Sequence, residues 1–235
     1  MPFREIVGHR PVLELLARAT ARATLPPSLV FAGPDGVGKR RTAVALAQVL
    51  NCERVTTGAH GIDACGTCAA CTRIARGVHA DILVIEPGDT GSIKVDQVRE
   101  AIERAAYRPF EGRRRVVIVD QADALMSEAQ NALLKTLEEP PPASMFVLIT
   151  ARPDVLLPTV RSRCQRLRFG PLRAADVAGV LVRDHGFDAT DARFSHPRSR
   201  GRTWQSSRVA RLFATVQAFV NRGVEVGRRD GRSGS

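Results

Sequence analysis

Residues 33–39 read Gly33-Pro-Asp-Gly36-Val-Gly38-Lys39. An apolar run at 28–32 that predicts a β-strand precedes this stretch, and apolar residues at helical spacing follow it over 38–50. Such a loop lets backbone N–H groups surround phosphates, while the helix N-terminus and the lysine favour their negative charge. The alternative is a glycine-rich turn that matches by chance. The combined features favour a phosphate-binding loop (P-loop), whose candidate binding residues are Gly33, Gly36, Gly38, Lys39 and Arg40.

Three further apolar runs predict strands at 82–85, 116–119 and 145–149. Helical patterns over 95–105 and 127–137 separate them. Uniformly apolar strands that alternate with helices are typical of a parallel sheet with helices on both faces. We therefore expect an α/β P-loop module over residues 1–171.

The two positions that a P-loop ATPase uses for magnesium and water are unusual here. Ser or Thr after the lysine normally ligates Mg²⁺, but this sequence has Arg40, whose guanidinium offers no lone pair, and Thr42 is a poor substitute. Asp120 at the end of the third strand occupies the Walker B position, unless it only caps the next helix. Gln121 follows it and cannot accept a proton from water as Glu does. We therefore expect both magnesium binding and hydrolysis to be disfavoured.

Four of the five cysteines form a C-x12-C-x2-C-x2-C pattern within residues 52–71. Four thiolates suit a closed tetrahedral Zn²⁺ site, which predicts a structural metal. Buried thiols without a metal are one alternative, and a site in which His60 or His79 replaces a cysteine is another. The zinc ligands predicted here are Cys52, Cys65, Cys68 and Cys71.

Two residues after the fourth strand are candidates for a role in hydrolysis. Thr150 ends that strand, where a hydroxyl can sense the terminal phosphate or instead hydrogen-bond the local backbone. Arg163 follows in an exposed segment. An arginine there is either solvated or acts as an arginine finger, which stabilises transition-state charge at a neighbouring subunit's nucleotide.

The formal charge of +11 is concentrated near the C-terminus. Ten Arg and three acidic residues lie from Asp191 onward, so the first 190 residues carry only +4 (25 basic minus 21 acidic). Composition is therefore weak evidence that the P-loop module itself grips DNA. No apolar run is long enough to span a bilayer and no signal peptide is visible, so we expect a cytoplasmic protein without membrane contact.

The order of these motifs resembles that of the AAA+ clamp-loader subunits of bacterial DNA polymerase III. The resemblance runs from the P-loop through the cysteines and Asp120 to the segment 130–140 (QNALLKTLEEP) and to Ser162-Arg163-Cys164. The segment Ile6-Val-Gly-His9 is similar to the family's adenine-side motif. The resemblance covers about residues 1–172 and implies an AAA+ fold that binds ATP or ADP.

Within this family, motor subunits of the tau/gamma type carry Thr or Ser after the P-loop lysine and Glu after the Walker B Asp. Arg40 and Gln121 break both rules while Arg163 is intact, a combination that resembles the delta-prime type. That resemblance implies little or no hydrolysis, an arginine finger presented to a motor subunit, and four kinds of partner: motor subunits, the delta subunit, the sliding clamp and primed DNA. The alternative is an active motor or another DNA-dependent AAA+ ATPase.

The C-terminal part departs from the family pattern. Residues 172–190 predict only a partial helical lid, and residues 191–235 a basic tail with one amphipathic helix near 209–220. About fifty residues are too few for the remaining lid and a helical collar. A truncation or a reading-frame change upstream of about Ser195 would explain this segment better than divergence would. The tail is also a candidate for direct DNA contact, against the simpler alternative of a solvated, unfolded tail.

Overall fold

The computed structural model describes residues 1–185, and the chain divides into two compact units, residues 1–171 and 172–235. The strands in the described part are β1 (Ser28–Ala32), β2 (Thr56–Gly58), β3 (Gly61–Asp63), β4 (Ile82–Ile85), β5 (Arg115–Val119), β6 (Ser144–Thr150) and β7 (Gln165–Arg168). The α-helices there are α1 (Arg10–Ala21), α2 (Lys39–Asn51), α3 (Ala69–Ala75), α4 (Val95–Ala106), α5 (Ser127–Glu138), α6 (Pro158–Arg161) and α7 (Ala174–His185). Short 3-10 turns occur at Phe3–Glu5, Ala122–Ala124 and Pro153–Val155.

Five strands form one parallel sheet in the order β4-β5-β6-β1-β7, and β2 and β3 form a separate antiparallel hairpin. The predicted parallel sheet and its four predicted strands are therefore confirmed. The P-loop leaves the carboxyl end of β1, near the centre of the sheet. Because the strands are parallel, the residues that follow β4, β5 and β6 reach the same edge as the P-loop.

Helices cover both faces of the sheet. On one face, alternate residues of the strands, such as Val30, Val117 and Phe146, pack with buried side chains of α4, α5 and α6. The helix α2 contacts β6, but none of its buried residues belongs to that cluster, so it covers the opposite face. Burying each such apolar side chain contributes ~1.5–3 kcal/mol to the stability of the folded protein. The packed core therefore holds in place the strand ends next to which the site lies.

No sequence pattern predicted α1, the β2–β3 hairpin, α3, α6 or β7. The edge strand β7 reads Gln165-Arg-Leu-Arg168 and buries only Leu167, so it lacks the uniformly apolar pattern of the other strands. Within the predicted lid segment 172–190, the described residues form α7. Residues 186–190 of that segment and the whole basic tail, with its predicted helix, lie outside the described residues. None of the described helices combines the length and the apolar character that a membrane span requires.

Candidate nucleotide and metal sites

The P-loop is a tight turn between β1 and α2. Gly38 has φ 100°, and Gly36 has φ 74°, both in the left-handed region that favours glycine. A Cβ at Gly33 would lie 2.1 Å from the carbonyl oxygen of Phe169, so β7 approaches the loop too closely for any side chain there. Each predicted P-loop glycine therefore lies in the expected loop.

Lys39 is buried at the first position of α2, with 5% of its surface exposed. Its Nζ donates to the carbonyl oxygens of Gly33 and Pro34, both at 2.6 Å, and lies 3.6 Å from Asp35 Oδ1. Burial lowers the pKa of the ammonium, and Asp35 opposes this effect. A phosphate that enters the loop would replace these carbonyl oxygens as the acceptor for Lys39.

Arg40 crosses from α2 to the acidic ends of two neighbouring strands. Its Nη1 donates to Asp120 Oδ2 at 2.9 Å and also to Glu86 Oε1. Asp120 follows β5 and is mostly buried, whereas Glu86 follows β4 at the outer edge of the sheet. The predicted Walker B carboxylate is thus engaged by a guanidinium.

Glu86 was not identified from the sequence. Its signal was an acidic residue immediately after an apolar strand, the same signal that identified Asp120. What the sequence did not show is that β4 and β5 are neighbours, paired from Ile82–Val116 to Ile85–Val119.

A magnesium ion does not fit the residues present. Its usual protein ligand after the lysine is a hydroxyl oxygen, and Arg40 places a cation there instead. The hydroxyl of Thr42 is fully buried and donates to the carbonyl of Gly38 at 3.0 Å, so it faces its own helix. Gln121 is exposed in a left-handed conformation at φ 53°.

Thr150 lies fully buried at the end of β6, the strand that pairs with the P-loop strand β1. Its hydroxyl donates to Asp123 Oδ1 at 3.1 Å and accepts from the N–H of Arg152 at 3.0 Å. Arg152 also pairs with Asp123 at 3.0 Å. Burial alone would raise the pKa of Asp123, but the bonds from Arg152 and Thr150 lower it. The phosphate-sensing role of Thr150 stays a prediction.

His9 connects the N-terminal segment to the P-loop. Its Nε2 lies 2.8 Å from the carbonyl oxygen of Val37, and its ring meets that of Phe169 edge-on, with centroids 4.9 Å apart. Phe169 also packs on Phe31 of β1, at 5.0 Å between centroids. The segment predicted to contact adenine therefore lies beside the P-loop.

Arg163 follows α6 directly rather than lying in an open loop. Its Nη1 donates to the carbonyl of Thr159 at 3.0 Å, and its Nη2 to Glu138 Oε2 at 3.3 Å. The Nε is buried and has no hydrogen-bond partner among the described residues. About a third of the side chain, 31%, is exposed. The sequence predicted an exposed residue, and the structure shows a half-buried one whose charge faces Glu138.

The four cysteines of the predicted zinc site lie together. Their Sγ atoms are all within 4.8 Å of one another, and among the described residues this is the group arranged to hold a metal ion. Tetrahedral zinc at ~2.3 Å from each sulfur needs such a cluster. His79 instead accepts from the N–H of Asp81 at 3.2 Å and lies near Glu111, so it is not part of the group.

Backbone N–H groups also point at the sulfurs. Cys65 N donates to Cys52 Sγ at 3.3 Å, Cys68 N to Cys65 Sγ at 3.3 Å, and Cys71 N to Cys68 Sγ at 3.5 Å. Burial would raise the pKa of the Cys65 thiol, but hydrogen bonds from the N–H groups of Thr67 and Cys68, with those of the Thr67 and Cys52 side chains, lower it to about 6. N–H donors around thiolates are the usual surroundings of a structural zinc site, so the residues present fit the metal.

The sheet order, the P-loop and the acidic strand end define an AAA+ P-loop module. RuvB, the Holliday junction branch migration motor of Thermotoga maritima, shares this fold, with a TM-score of 0.54 at 19% identity over 94% of this chain and 65% of that one. The family model described as DNA polymerase III, delta subunit, matches residues 8–173. The chain therefore belongs to this family of DNA polymerase III clamp-loader subunits.

Two relatives illustrate the range within the family. The DNA polymerase III subunit gamma/tau of Mycobacterium tuberculosis strain H37Rv is 36% identical over 181 residues, which are 77% of this chain and 31% of the relative. The subunit delta' of Pseudomonas aeruginosa is 39% identical over 151 residues, or 64% of this chain and 45% of the relative. The chain spans less than half the length of either relative.

Proposed function

We propose that this chain is a clamp-loader subunit of the delta-prime type, which hydrolyses little or no ATP and supplies Arg163 as an arginine finger to a motor subunit. The observation that carries the proposal is the ion pair between Arg40 and Asp120, at 2.9 Å. Because the Walker B carboxylate already binds a cation of its own chain, magnesium-dependent hydrolysis at this site is disfavoured. Gln121 removes the second requirement, a base beside the attacking water.

The setting of Arg163 supports a role outside its own chain. The guanidinium has a buried Nε without a hydrogen-bond partner among residues 1–185, and its Nη2 makes a long 3.3 Å contact to Glu138, whose side chain is largely exposed. Guanidinium–phosphate bonds are shorter and stronger than this contact, so exchange of Glu138 for a phosphate of a neighbouring subunit would give the guanidinium a better partner.

The names of the relatives suggest the assembly. We place this chain in the cytoplasmic DNA polymerase III clamp loader, next to tau/gamma motor subunits and the delta subunit. Through the assembly it would contact the sliding clamp and primed DNA during replication. In the same proposal, Cys52, Cys65, Cys68 and Cys71 hold a structural Zn²⁺, and Thr150 and His9 line a nucleotide site.

The direct test is the ATP turnover of the cognate motor subunits with delta, clamp and primed DNA. We expect the wild-type chain to stimulate turnover strongly. With Arg163→Ala the stimulated rate should be at least ~100-fold lower, because an arginine supplied in trans raises kcat about 10³–10⁵-fold in other P-loop enzymes. Arg161→Ala is the matched control. That arginine lies two residues away and pairs with Asp154 at 2.8 Å, so its loss should leave stimulation unchanged.

Equal stimulation by wild type and Arg163→Ala would exclude the finger role. Robust magnesium-dependent turnover by this chain alone would instead identify it as a motor subunit. Absence of stimulation by either form, with binding to the motor subunits also absent, would place the chain outside the ring.

A further inference from the structure

The residues around Arg40 form a site with a built-in cation. The guanidinium bridges Asp120 and Glu86, two carboxylates from neighbouring strands, next to the N-terminus of α2 and Lys39. A divalent cation in a P-loop enzyme lies between the Walker B carboxylate and the phosphates. Here a fixed monovalent cation is bonded to that carboxylate.

We propose that Arg40 takes the place of magnesium, and that the P-loop binds a nucleoside diphosphate or triphosphate without a divalent cation. This inference rests on the nucleotide site of the proposed function and deepens it; the arginine-finger role itself requires no nucleotide on this chain.

The geometry leaves the guanidinium able to contact phosphate. Both bonds to the carboxylates come from Nη1, and a guanidinium has three more N–H donors on Nη2 and Nε. Its planar group of donors matches phosphate oxygens bidentately. The side chain is 31% exposed, so it is not sealed inside the protein. The two carboxylates hold it in position, as ligands hold a metal.

The charge balance sets the expected preference among nucleotides. Arg40 supplies one positive charge where Mg²⁺ supplies two, and Asp120 and Glu86 both face it. Each added phosphate brings further negative charge that no metal offsets. We therefore expect a smaller preference for ATP over ADP than a magnesium-dependent P-loop shows, and affinities that Mg²⁺ does not improve.

The test is a titration of the full chain with a fluorescent ADP analogue and with ATP as competitor, in excess Mg²⁺ and in EDTA concentrations that spare bound zinc. For the wild-type chain we expect dissociation constants within about twofold of each other in the two buffers. For Arg40→Thr, which frees Asp120 and restores a hydroxyl, we expect binding at least about tenfold weaker in EDTA than in Mg²⁺. Arg99→Thr removes the same charge from an exposed site on α4 and should behave as wild type.

A second readout does not depend on nucleotide affinity. Mn²⁺ added with ADP should give the spectrum of a bound ion by electron paramagnetic resonance with Arg40→Thr and not with wild type. Circular dichroism tests whether Arg40→Thr folds. If it does not, Arg40→Lys replaces it as the test variant; this variant keeps the positive charge and should retain binding in EDTA.

Two results would overturn the inference. One is wild-type binding that weakens about tenfold or more when Mg²⁺ is removed. The other is a wild-type chain that binds no ADP in either buffer. Both are measured on the isolated chain, so they are distinct from failure of the arginine-finger proposal, which is measured in the assembled loader.

Discussion

Asp81 is fully buried and lies just before β4, away from the P-loop edge of the sheet. It accepts from the backbone N–H groups of Phe110, Glu111 and Gly112 at 2.7–2.9 Å and pairs with Arg115 at 2.7 Å. Burial alone would raise the pKa of this carboxyl, but the donors lower it to about 2. One side chain thus fixes the loop between α4 and β5, which exposes the ring of Phe110.

We expect Asp81→Asn to reduce the free energy of unfolding at pH 7 by about 3 kcal/mol, since the buried charge of Arg115 would lose its carboxylate and keep only backbone carbonyl oxygens as acceptors. The folded-state pKa of Asp81 is below its unfolded value, so its contribution is complete above about pH 4 and is lost as pH falls toward 2. Over that pH interval, the free energy of unfolding of the wild type should fall by about 2 kcal/mol more than that of the variant.

Urea unfolding from pH 7 to pH 2 measures both effects. Asp154→Asn serves as the control, because Asp154 is 87% exposed and its pair with Arg161 should contribute at most about 1 kcal/mol. If the two variants show the same stability and the same acid dependence, Asp81 does not hold the loop.

At the scale of elements, the cysteine-bearing segment is too small to be stable by itself. Its strands β2 and β3 have three residues each, and α3 has seven. Asp63 at the end of β3 ties it to the N-terminus by accepting from the N–H groups of Phe3 and Arg4 at 2.7 and 3.1 Å. The cysteine cluster links the end of α2 to this segment and to α3. A metal at the cluster would therefore hold these three pieces of chain together.

We expect one zinc ion per chain, and removal of the metal should release residues 52–75 while the sheet persists. Bound zinc measured by atomic absorption should be absent in the double variant Cys68→Ser/Cys71→Ser. Amide hydrogen exchange in the same variant should become fast in this segment and stay slow in β1, β5 and β6, since the sheet core is separate.

Cys164→Ala is the matched control, because this fifth cysteine lies in the core under α6 rather than in the cluster. It should retain one zinc ion. A wild-type chain that holds no zinc after purification without chelators would contradict the metal assignment.

At the scale of the whole molecule, the five-stranded sheet, its helices and the candidate sites all lie within residues 1–171. The edge strand β7 covers one side of β1, and Phe169 beyond it packs on Phe31. This unit therefore contains a complete core and the strands that pair with both sides of β1.

We expect a chain that ends at Pro171 to unfold in urea as a single cooperative transition and to keep its zinc content. A chain that ends at Leu157 lacks α6, β7 and Phe169, and should lose cooperativity because β1 would become an uncovered edge strand. Non-cooperative unfolding of the first protein would show that residues 172–235 are needed for the fold.

The sequence by itself determined the parallel sheet, the P-loop and the cysteine cluster. Each has a signal within a short stretch of chain: an apolar run of four or five residues, glycines at fixed spacing before Lys39, or successive cysteines with two residues between them. Local signals of this kind are read directly because the chain itself brings the residues together. The strand β7 was not predicted, because an edge strand that buries only Leu167 has no such pattern.

Only the tertiary structure decided what the unusual residues do. The sequence showed that Arg40 disfavours magnesium, but not that it pairs with Glu86 and Asp120, which lie 46 and 80 residues further along the chain. The same holds for Thr150 and Asp123, whose contact joins the ends of two neighbouring strands. These contacts depend on the order of strands in the sheet. That order is set by how the whole core packs, so no local pattern in the sequence contains it.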